Sequence, residues 1–213
     1  MQKETIVYLI RHSEQLKING IKNIKEDDQI NNEKITLSVE GENKAKELSQ
    51  MNELNNIDAI WSSNYVRAIA TAKYISYRNN LEINIDSNFN ERKLGNLKTL
   101  KELGKNKKYS YTEEQLLDKN LKNINGENGI EVNNRMTNSL NKILKENEGK
   151  KIVIVSHGAA IKFLLMNWCK LNEDIKLVYK DKVLDISSPC LLKLTFRKNE
   201  LLDLEQKILK YSF

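Results

Sequence analysis

The chain contains only two histidines, and each lies directly beyond an apolar run of sequence. Arg11 and His12 follow residues 6–10, and His157 comes two positions after residues 152–155. Continuous apolar, β-branched runs of this kind are typical of strands buried on both faces of a parallel sheet. Because the carboxyl ends of neighbouring parallel strands share one edge of the sheet, we expect the two imidazoles to meet there.

A second arginine is predicted to lie at the same edge. Residues 57–61 read as a shorter strand, and Arg67 follows them in the first turn of a predicted helix. Gly158, next to the second histidine, also begins a predicted helix. Two imidazoles, two guanidiniums and two helix N-termini would form an anion site whose geometry suits a phosphoryl group.

The residues alone leave other chemistry open. A lone histidine after a strand is more often structural than catalytic, and imidazole is the commonest metal ligand in proteins. No nearby Asp or Cys has the spacing of a metal ligand, however, and two arginines would repel a cation. The sequence therefore predicts neither a metal nor another cofactor. A nucleophilic serine is disfavoured because the chain has no G-x-S-x-G elbow.

Helical patterns separate the predicted strands. Ser38 is a suitable N-cap for a helix over residues 39–52, and Ser63 or Asn64 is a suitable N-cap for the next helix. Apolar stripes at helical spacing predict two further helices, over residues 132–144 and 159–169. This alternation predicts an α/β fold, a three-layer α/β/α sandwich around a mostly parallel central sheet.

The remaining segments complete a single domain over residues 1–213. Residues 81–85 alternate as an edge strand does, and residues 190–206 read as a hairpin. Residues 15–34 are polar and read as a long loop. Residues 88–131 are Lys-rich with a weak pattern, which predicts a cap-like insertion containing a short helix near 112–122.

Charge and composition restrict the partners. The chain has 35 Lys plus Arg against 29 Asp plus Glu, which favours anionic partners. Residues 92–122 hold nine basic and four acidic residues. A nucleic-acid patch would normally show aromatics interleaved with Arg, and here the basic residues are nearly all Lys, so we predict no nucleic-acid binding. No apolar run approaches the roughly 20 residues of a membrane span, so we predict no membrane contact. Two cysteines in apolar surroundings favour a reducing, cytoplasmic setting.

Six motifs in order resemble those of the histidine phosphatase superfamily, in its phosphoglycerate-mutase-like branch (branch 1). They span nearly the whole chain. In order, they are Arg11-His12-Ser13-Glu14 (R-H-G-E), Leu37-Ser38-Val39-Glu40-Gly41 (L-T/S-x-x-G), Ser62-Ser63-Asn64-Tyr65-Val66-Arg67-Ala68 with Thr71-Ala72 (S-S-x-x-x-R-A-x-x-T-A), Asn90-Glu91-Arg92 with Gly95 (E-x-x-x-G), Gly126-Glu127-Asn128 with Arg135 (G-E-S), and Val155-Ser156-His157-Gly158 (V-S-H-G).

The resemblance implies roles for particular residues. His12 would be the nucleophile that becomes phosphorylated, and Glu91 the proton donor to the leaving group. His157 would be catalytic through its contact with the phosphoryl oxygens. The predicted phosphate-binding residues are Arg11, Arg67, Asn19 and Gly158. The fold implied is the phosphoglycerate-mutase-like sandwich with a small inserted cap.

The sequence departs from the family pattern in three places. Ser13 replaces a glycine, where an unusual φ or a close approach could be required. We expect activity to tolerate it, and its hydroxyl could add a phosphate contact. The asparagine expected at position 18 is Ile18, with Asn19 one place later. Asn96-Leu97-Lys98 replaces a W-E-G-like continuation in the wall that selects substrates.

The resemblance predicts a metal-independent phosphatase that hydrolyses small-molecule phosphate monoesters through a phosphohistidine. The partner would be a small anionic phosphorylated substrate. Two alternatives stay open: a phosphoglycerate mutase, which returns the phosphoryl group to the substrate, and a degenerate, non-catalytic phosphate-binding module, suggested by Ser13. Neither the physiological substrate nor the oligomeric state can be predicted from this sequence.

Overall fold

The structure is a computed structural model that describes residues 3–17, 32–96, 98–100 and 108–209. Its strands are β1 (Thr5–Arg11), β2 (Ala59–Ser62), β3 (Ile83–Ile85), β4 (Lys151–Ser156), β5 (Lys170–Leu171), β6 (Leu177–Tyr179), β7 (Lys182–Val183), β8 (Cys190–Arg197) and β9 (Glu200–Lys207). Its helices are α1 (Val39–Ser49), α2 (Val66–Asn79), α3 (Tyr111–Leu117), α4 (Gly129–Glu146) and α5 (Gly158–Leu165), with short 3₁₀ turns at Asn52–Leu54 and Ser87–Phe89.

Six strands form the central sheet in the order β3-β2-β4-β1-β8-β9. The first four are parallel, and the hairpin of β8 and β9 is antiparallel. The predicted mostly parallel sheet is thus confirmed. So are the edge position of β3 and the C-terminal hairpin.

The apolar runs of β1 and β4 are continuous because both faces of the sheet are covered. Val7 and Leu9 belong to a core shared with α4 and α5. Tyr8 and Ile10 belong to a second core shared with α1 and α2. Alternate side chains of one strand therefore pack into opposite layers, which makes the fold a three-layer α/β/α sandwich.

Local capping explains where the helices begin. Ser38 accepts a hydrogen bond from the N–H of Gly41 and caps α1, as predicted. The prediction for α2 was wrong, since its N-cap is Tyr65, which makes no side-chain capping bond. The hydroxyl oxygen of Ser63 instead accepts a hydrogen bond from the N–H of Tyr65 over 3.1 Å. The hydroxyl hydrogen of Ser63 can still be donated to another acceptor.

Two features of the C-terminal half were not anticipated. The fourth predicted helix, over 159–169, is shorter: α5 ends at Leu165 and leads into a separate three-stranded sheet of β5, β6 and β7.

The short helix predicted near 112–122 is α3, over Tyr111–Leu117. No helix in the described ranges is long and apolar enough to cross a membrane.

Candidate active site

The two histidines lie side by side because their strands are paired. β1 and β4 are neighbours in parallel register, with Arg11 opposite Ser156. The N–H of His12 donates to the carbonyl of Ser156 over 2.9 Å, which extends the ladder by one bond. The next residue along β4 is His157, and the centroids of its ring and the His12 ring are 5.0 Å apart.

His12 is held in one tautomer. Its Nδ1 lies 2.7 Å from the carbonyl oxygen of Ser13, which can only accept, so Nδ1 carries the hydrogen. Burial, followed by the charge of Arg67, lowers the pKa of His12 from 6.5 to about 3. The ring is therefore neutral near pH 7, and Nε2 keeps an unprotonated lone pair that can attack an electrophile.

Arg67 lies directly against that lone pair. It is in the first turn of α2, is buried, and donates its Nε–H to Nε2 of His12 over 3.1 Å. Its Nη1 donates to the carbonyl of Asn32. Burial lowers the pKa of Arg67 because the charged form loses hydration. The guanidinium is thus held beside the nucleophilic atom.

Arg11 and Gly158 form a second contact across the strand ends. Nη1 of Arg11 donates to the carbonyl of Ile186. A Cβ on Gly158 would lie 3.0 Å from Cζ of Arg11 and 3.1 Å from its Nε, closer than ordinary contacts. That Nε is buried and has no hydrogen-bond partner among the described residues. The glycine therefore leaves room for the Arg11 guanidinium.

His157 is the N-cap residue of α5 and is fully buried. Its Nε2 lies 2.7 Å from Oγ of Ser63, and its ring packs edge-on against Tyr65. Burial, followed by the charges of His12 and Arg67, holds its pKa well below 6.5. Its Nδ1 is buried and unbonded within the described part of the chain. Since the Ser63 hydroxyl can donate to Nε2, Nδ1 can carry a hydrogen for a ligand.

Glu91 is held at the N-terminus of α5. Its carboxyl oxygens accept the N–H groups of Ala159 at 3.2 Å and Ala160 at 3.0 Å, and that of Arg92 at 2.8 Å. These donors are free because a helix leaves its first N–H groups without an internal partner. The carboxyl group thereby lines the same cleft as His12.

Arg135 on α4 holds the segment that carries Glu91 through hydrogen bonds. Arg135 donates Nε–H and Nη2–H to the two carboxyl oxygens of Glu127, at 2.9 and 3.1 Å. Its Nη1 donates to the carbonyl of Asn88. The backbone of Glu127 bonds to Lys93 over 2.9 Å, and its carboxyl group accepts the Lys93 N–H. These contacts fix the chain on both sides of Glu91.

An open cleft of about 820 Å³ is lined by His12, Arg11, Arg67 and Glu91, whereas His157 is fully buried behind His12 and is not part of the lining. The side chains that line it include, beside His12, the basic residues Arg11, Lys17, Arg67 and Arg92 and the acidic residues Glu14, Glu40 and Glu91. The structure thus brings together every predicted site residue that it describes. Asn19 lies outside the described residues. No group of three or more His, Cys, Asp or Glu suited to a metal ion occurs in the described segments.

Four residues of the site were not predicted as such. Arg92 is buried in the cleft wall, where Nη2 donates to Thr112 and Nη1 to Gln115. Its position directly after Glu91 was the only sequence signal. The others are Ser63, Ser188 and Thr71, of which Ser188 donates its hydroxyl to the carbonyl of His12 over 2.6 Å. Nothing in the sequence indicates that Ser188 would lie there.

Ser13 takes its place without strain. It is fully buried, and its φ is not among the positive values of the chain. Its hydroxyl donates to the carbonyl of Gly41 over 2.7 Å. The position therefore needs no glycine, and the hydroxyl is used in a bond to the backbone.

The fold and the paired histidines at its strand ends define the phosphoglycerate-mutase-like class of α/β proteins. The sequence profile of the histidine phosphatase superfamily (branch 1) matches residues 7–198, and the chain belongs to that superfamily. No curated protein sequence matches it significantly.

Solved structures of this fold include enzymes with different reactions in their names. A mycobacterial glucosyl-3-phosphoglycerate phosphatase has a TM-score of 0.70 at 15% identity, over 99% of this chain and 100% of that one. A phosphoglycerate mutase from Bacillus anthracis has 0.67 at 17%, over 97% and 93%. A phosphoserine phosphatase variant from Entamoeba histolytica, in complex with phosphoserine, has 0.63 at 23%, over 94% and 96%. At identities this low, the structural similarity establishes the shared fold alone.

Proposed function

We propose that the chain is a metal-independent phosphatase that hydrolyses small-molecule phosphate monoesters through a phosphohistidine at His12. One observation carries the proposal: the Nδ1–H of His12 is bound to a carbonyl, which leaves Nε2 unprotonated beside Arg67. An attacking imidazole and an adjacent cation are the groups that phosphoryl transfer to nitrogen requires. The superfamily and its structural neighbours, which are phosphatases or mutases, support this assignment.

In the first half-reaction, Nε2 of His12 attacks phosphorus, so that a P–N bond forms as the P–O bond to the leaving group breaks. Negative charge spreads over the three equatorial oxygens, and Arg67, Arg11 and Nδ1–H of His157 would stabilise it. The departing alkoxide takes a proton from the carboxyl group of Glu91, a step worth about 10²- to 10⁴-fold when the alkoxide is basic.

In the second half-reaction, water attacks the phosphohistidine. Glu91 takes a proton from that water, the P–N bond breaks, and inorganic phosphate leaves with His12 regenerated. Glu91 ends protonated, ready for the next substrate, so protons balance over the cycle. A neutral imidazole is a workable leaving group because the low pKa of His12 favours its unprotonated form.

The substrate is proposed to be a small anionic phosphate ester. The cleft is open and lined by several cations, which favours such a ligand over an apolar one. Both cysteines are free and buried, which supports a reducing compartment such as the cytoplasm. A mutase would carry out the same first half-reaction and then return the phosphoryl group to an acceptor hydroxyl instead of water.

The test is hydrolysis of p-nitrophenyl phosphate by the purified chain at pH 6–7 with excess chelator. We expect turnover, acid-labile phosphate on the wild-type protein, and neither in the His12→Ala variant. Activity lost with the chelator would contradict the metal-independent mechanism. Transfer between phosphoglycerates with little phosphate release would support the mutase. Phosphate binding without turnover would support the non-catalytic module.

A further inference from the structure

We propose that Ser13 is a positioning residue, whose buried hydroxyl fixes the carbonyl that sets the tautomer of His12. The inference rests on the proposed function for its kinetic consequence, but its structural claim stands separately. It concerns a residue that departs from the family pattern, in which a glycine could make no side-chain bond.

Every polar group of Ser13 is bonded, each to a different element. Its hydroxyl donates to the carbonyl of Gly41 on α1 at 2.7 Å, and its N–H donates to Oγ1 of Thr71 on α2 at 2.9 Å. Its carbonyl accepts Nδ1–H of His12 at 2.7 Å. Thr71 in turn donates its hydroxyl to the carbonyl of Arg67 at 2.8 Å. The nucleophile and the arginine beside it thus share one bonded network.

The start of α1 fixes the position of the Gly41 carbonyl to which the Ser13 hydroxyl donates. The N–H of Ser38 donates to the carbonyl of Glu14 at 3.0 Å. A Cβ on Gly41 would lie 2.0 Å from that same carbonyl oxygen, so the helix and the loop after the nucleophile are in direct contact. The carbonyl of Gly41 therefore approaches Ser13 from a fixed position.

Fixing the Ser13 peptide has a chemical consequence. If its carbonyl turned away, Nδ1–H of His12 would lose its acceptor in a buried site. The neutral ring could then place its hydrogen on Nε2, which would break the bond from Arg67 to that atom and remove its lone pair. A serine also restricts the backbone more than a glycine does. The hydroxyl bond thus acts together with Arg67, which donates to Nε2, to keep the attacking nitrogen unprotonated.

The test uses the fact that the chain has only two histidines. Labelling with ¹⁵N-histidine gives ring signals from two residues, which the His12→Ala variant assigns. We expect His12 to be the Nδ1–H tautomer in the wild type and a mixture of tautomers in Ser13→Ala. In that variant kcat should fall about 10-fold or more with KM changed less than about twofold, as for partners that orient a functional imidazole.

Two controls separate positioning from general destabilisation. Ser49→Ala removes another buried hydroxyl that is bonded to a backbone carbonyl of α1, and it should leave the tautomer and kcat unchanged. Thr71→Ser keeps the bond to the Ser13 N–H and should behave as the wild type, whereas Thr71→Val should behave as Ser13→Ala. This pair also tests the network if Ser13→Ala does not fold.

The two proposals fail in different ways. A wild-type tautomer and wild-type kcat in Ser13→Ala would overturn the role of Ser13. So would a loss of kcat in Ser13→Ala without a change in the His12 tautomer. If the wild type neither hydrolyses nor transfers phosphate but Ser13→Ala alters the tautomer, the catalytic proposal fails and the positioning of His12 by Ser13 stands.

Discussion

Nε of Arg67 and Nε2 of His12 are 3.1 Å apart, with the guanidinium donating into the lone pair of the imidazole. After burial, the charge of Arg67 is the second cause that lowers the pKa of the proposed nucleophile, and in the proposed reaction the same charge would stabilise a phosphoryl oxygen. The two effects belong together, because a ring that stayed protonated could not attack, and an attack without a nearby cation would leave the transition state unstabilised.

Replacing Arg67 should therefore impair catalysis more than stability. We expect Arg67→Ala to lose about 10²- to 10³-fold in kcat/KM, the usual effect of removing one donor to developing charge. Arg67→Lys should recover part of this because it keeps the charge but not the planar fork. Steady-state kinetics on p-nitrophenyl phosphate measure both.

Arg78→Ala is the matched control for Arg67. It lies on the same helix but donates to the carbonyls of Ser49 and Met51, away from the cleft. Its kcat/KM should stay within about threefold of the wild type. An equal loss in both variants would show that α2 merely needs its arginines to fold.

The role of Glu91 should depend on the leaving group. Glu91→Gln should lose about 10²-fold or more with an alkyl phosphate, whose alkoxide needs a proton, and much less with p-nitrophenyl phosphate. The measurement is the ratio of kcat/KM for the two esters in the variant and the wild type. An equal loss on both esters would mean that Glu91 only holds the N-terminus of α5.

The buried histidines should make stability fall in acid. In the unfolded chain both titrate near 6.5, whereas in the fold the pKa of His12 is about 3 and that of His157 is well below 6.5. Between these values the unfolded state binds more protons, so lowering the pH favours unfolding. Each histidine contributes up to about 1.4 kcal/mol per pH unit within that window.

Urea denaturation at pH 7, 6 and 5 measures this dependence. The His12→Gln variant should show a shallower fall in the free energy of unfolding, by about one histidine's contribution, because the carboxylates that also titrate are common to both proteins. Equal slopes in the two proteins would contradict the burial of a neutral His12.

Gly158 should be needed for the position of Arg11. In Gly158→Ala the new methyl would come within about 3 Å of the guanidinium and displace it, which we expect to reduce kcat/KM about 10- to 100-fold. Gly129→Ala is the control, because Gly129 also begins a helix but faces the ring of Phe163. Gly129→Ala should change the melting temperature at most and leave kcat/KM unchanged. Wild-type kinetics in Gly158→Ala would contradict the idea that Gly158 is needed to position Arg11.

Much of this site could be predicted because it lies at the ends of regular elements. The apolar runs before His12 and His157 reveal two parallel strands, and parallel strands that are neighbours place their ends together. Arg67 was predicted at the same edge from its place in the first turn of a helix after a strand, and Glu91 from motif resemblance; the structure places both in the cleft with His12.

The supporting contacts could not be predicted, because they depend on the paths of irregular segments. Ser188 reaches the carbonyl of His12 from 176 residues away in sequence. Ser63 resembled an N-cap, but its oxygen accepts the N–H of Tyr65 and contacts the imidazole of His157 instead. The strands β5 to β7 are two or three residues long, too short for a periodic signal.

The bonds between Lys93 and Glu127 bring the two ends of the intervening stretch together directly beside Glu91. The chain is therefore anchored at both Lys93 and Glu127, and a flexible loop closed in this way costs only about 0.6 kcal/mol for each doubling of its length. We expect a longer connection between these two residues to leave the carboxyl group of Glu91 in place, because that group is held by the N–H groups of Ala159, Ala160 and Arg92. For the proposed phosphatase, evolution could thus change the length of this connection while the residues proposed to transfer the phosphoryl group stay constant.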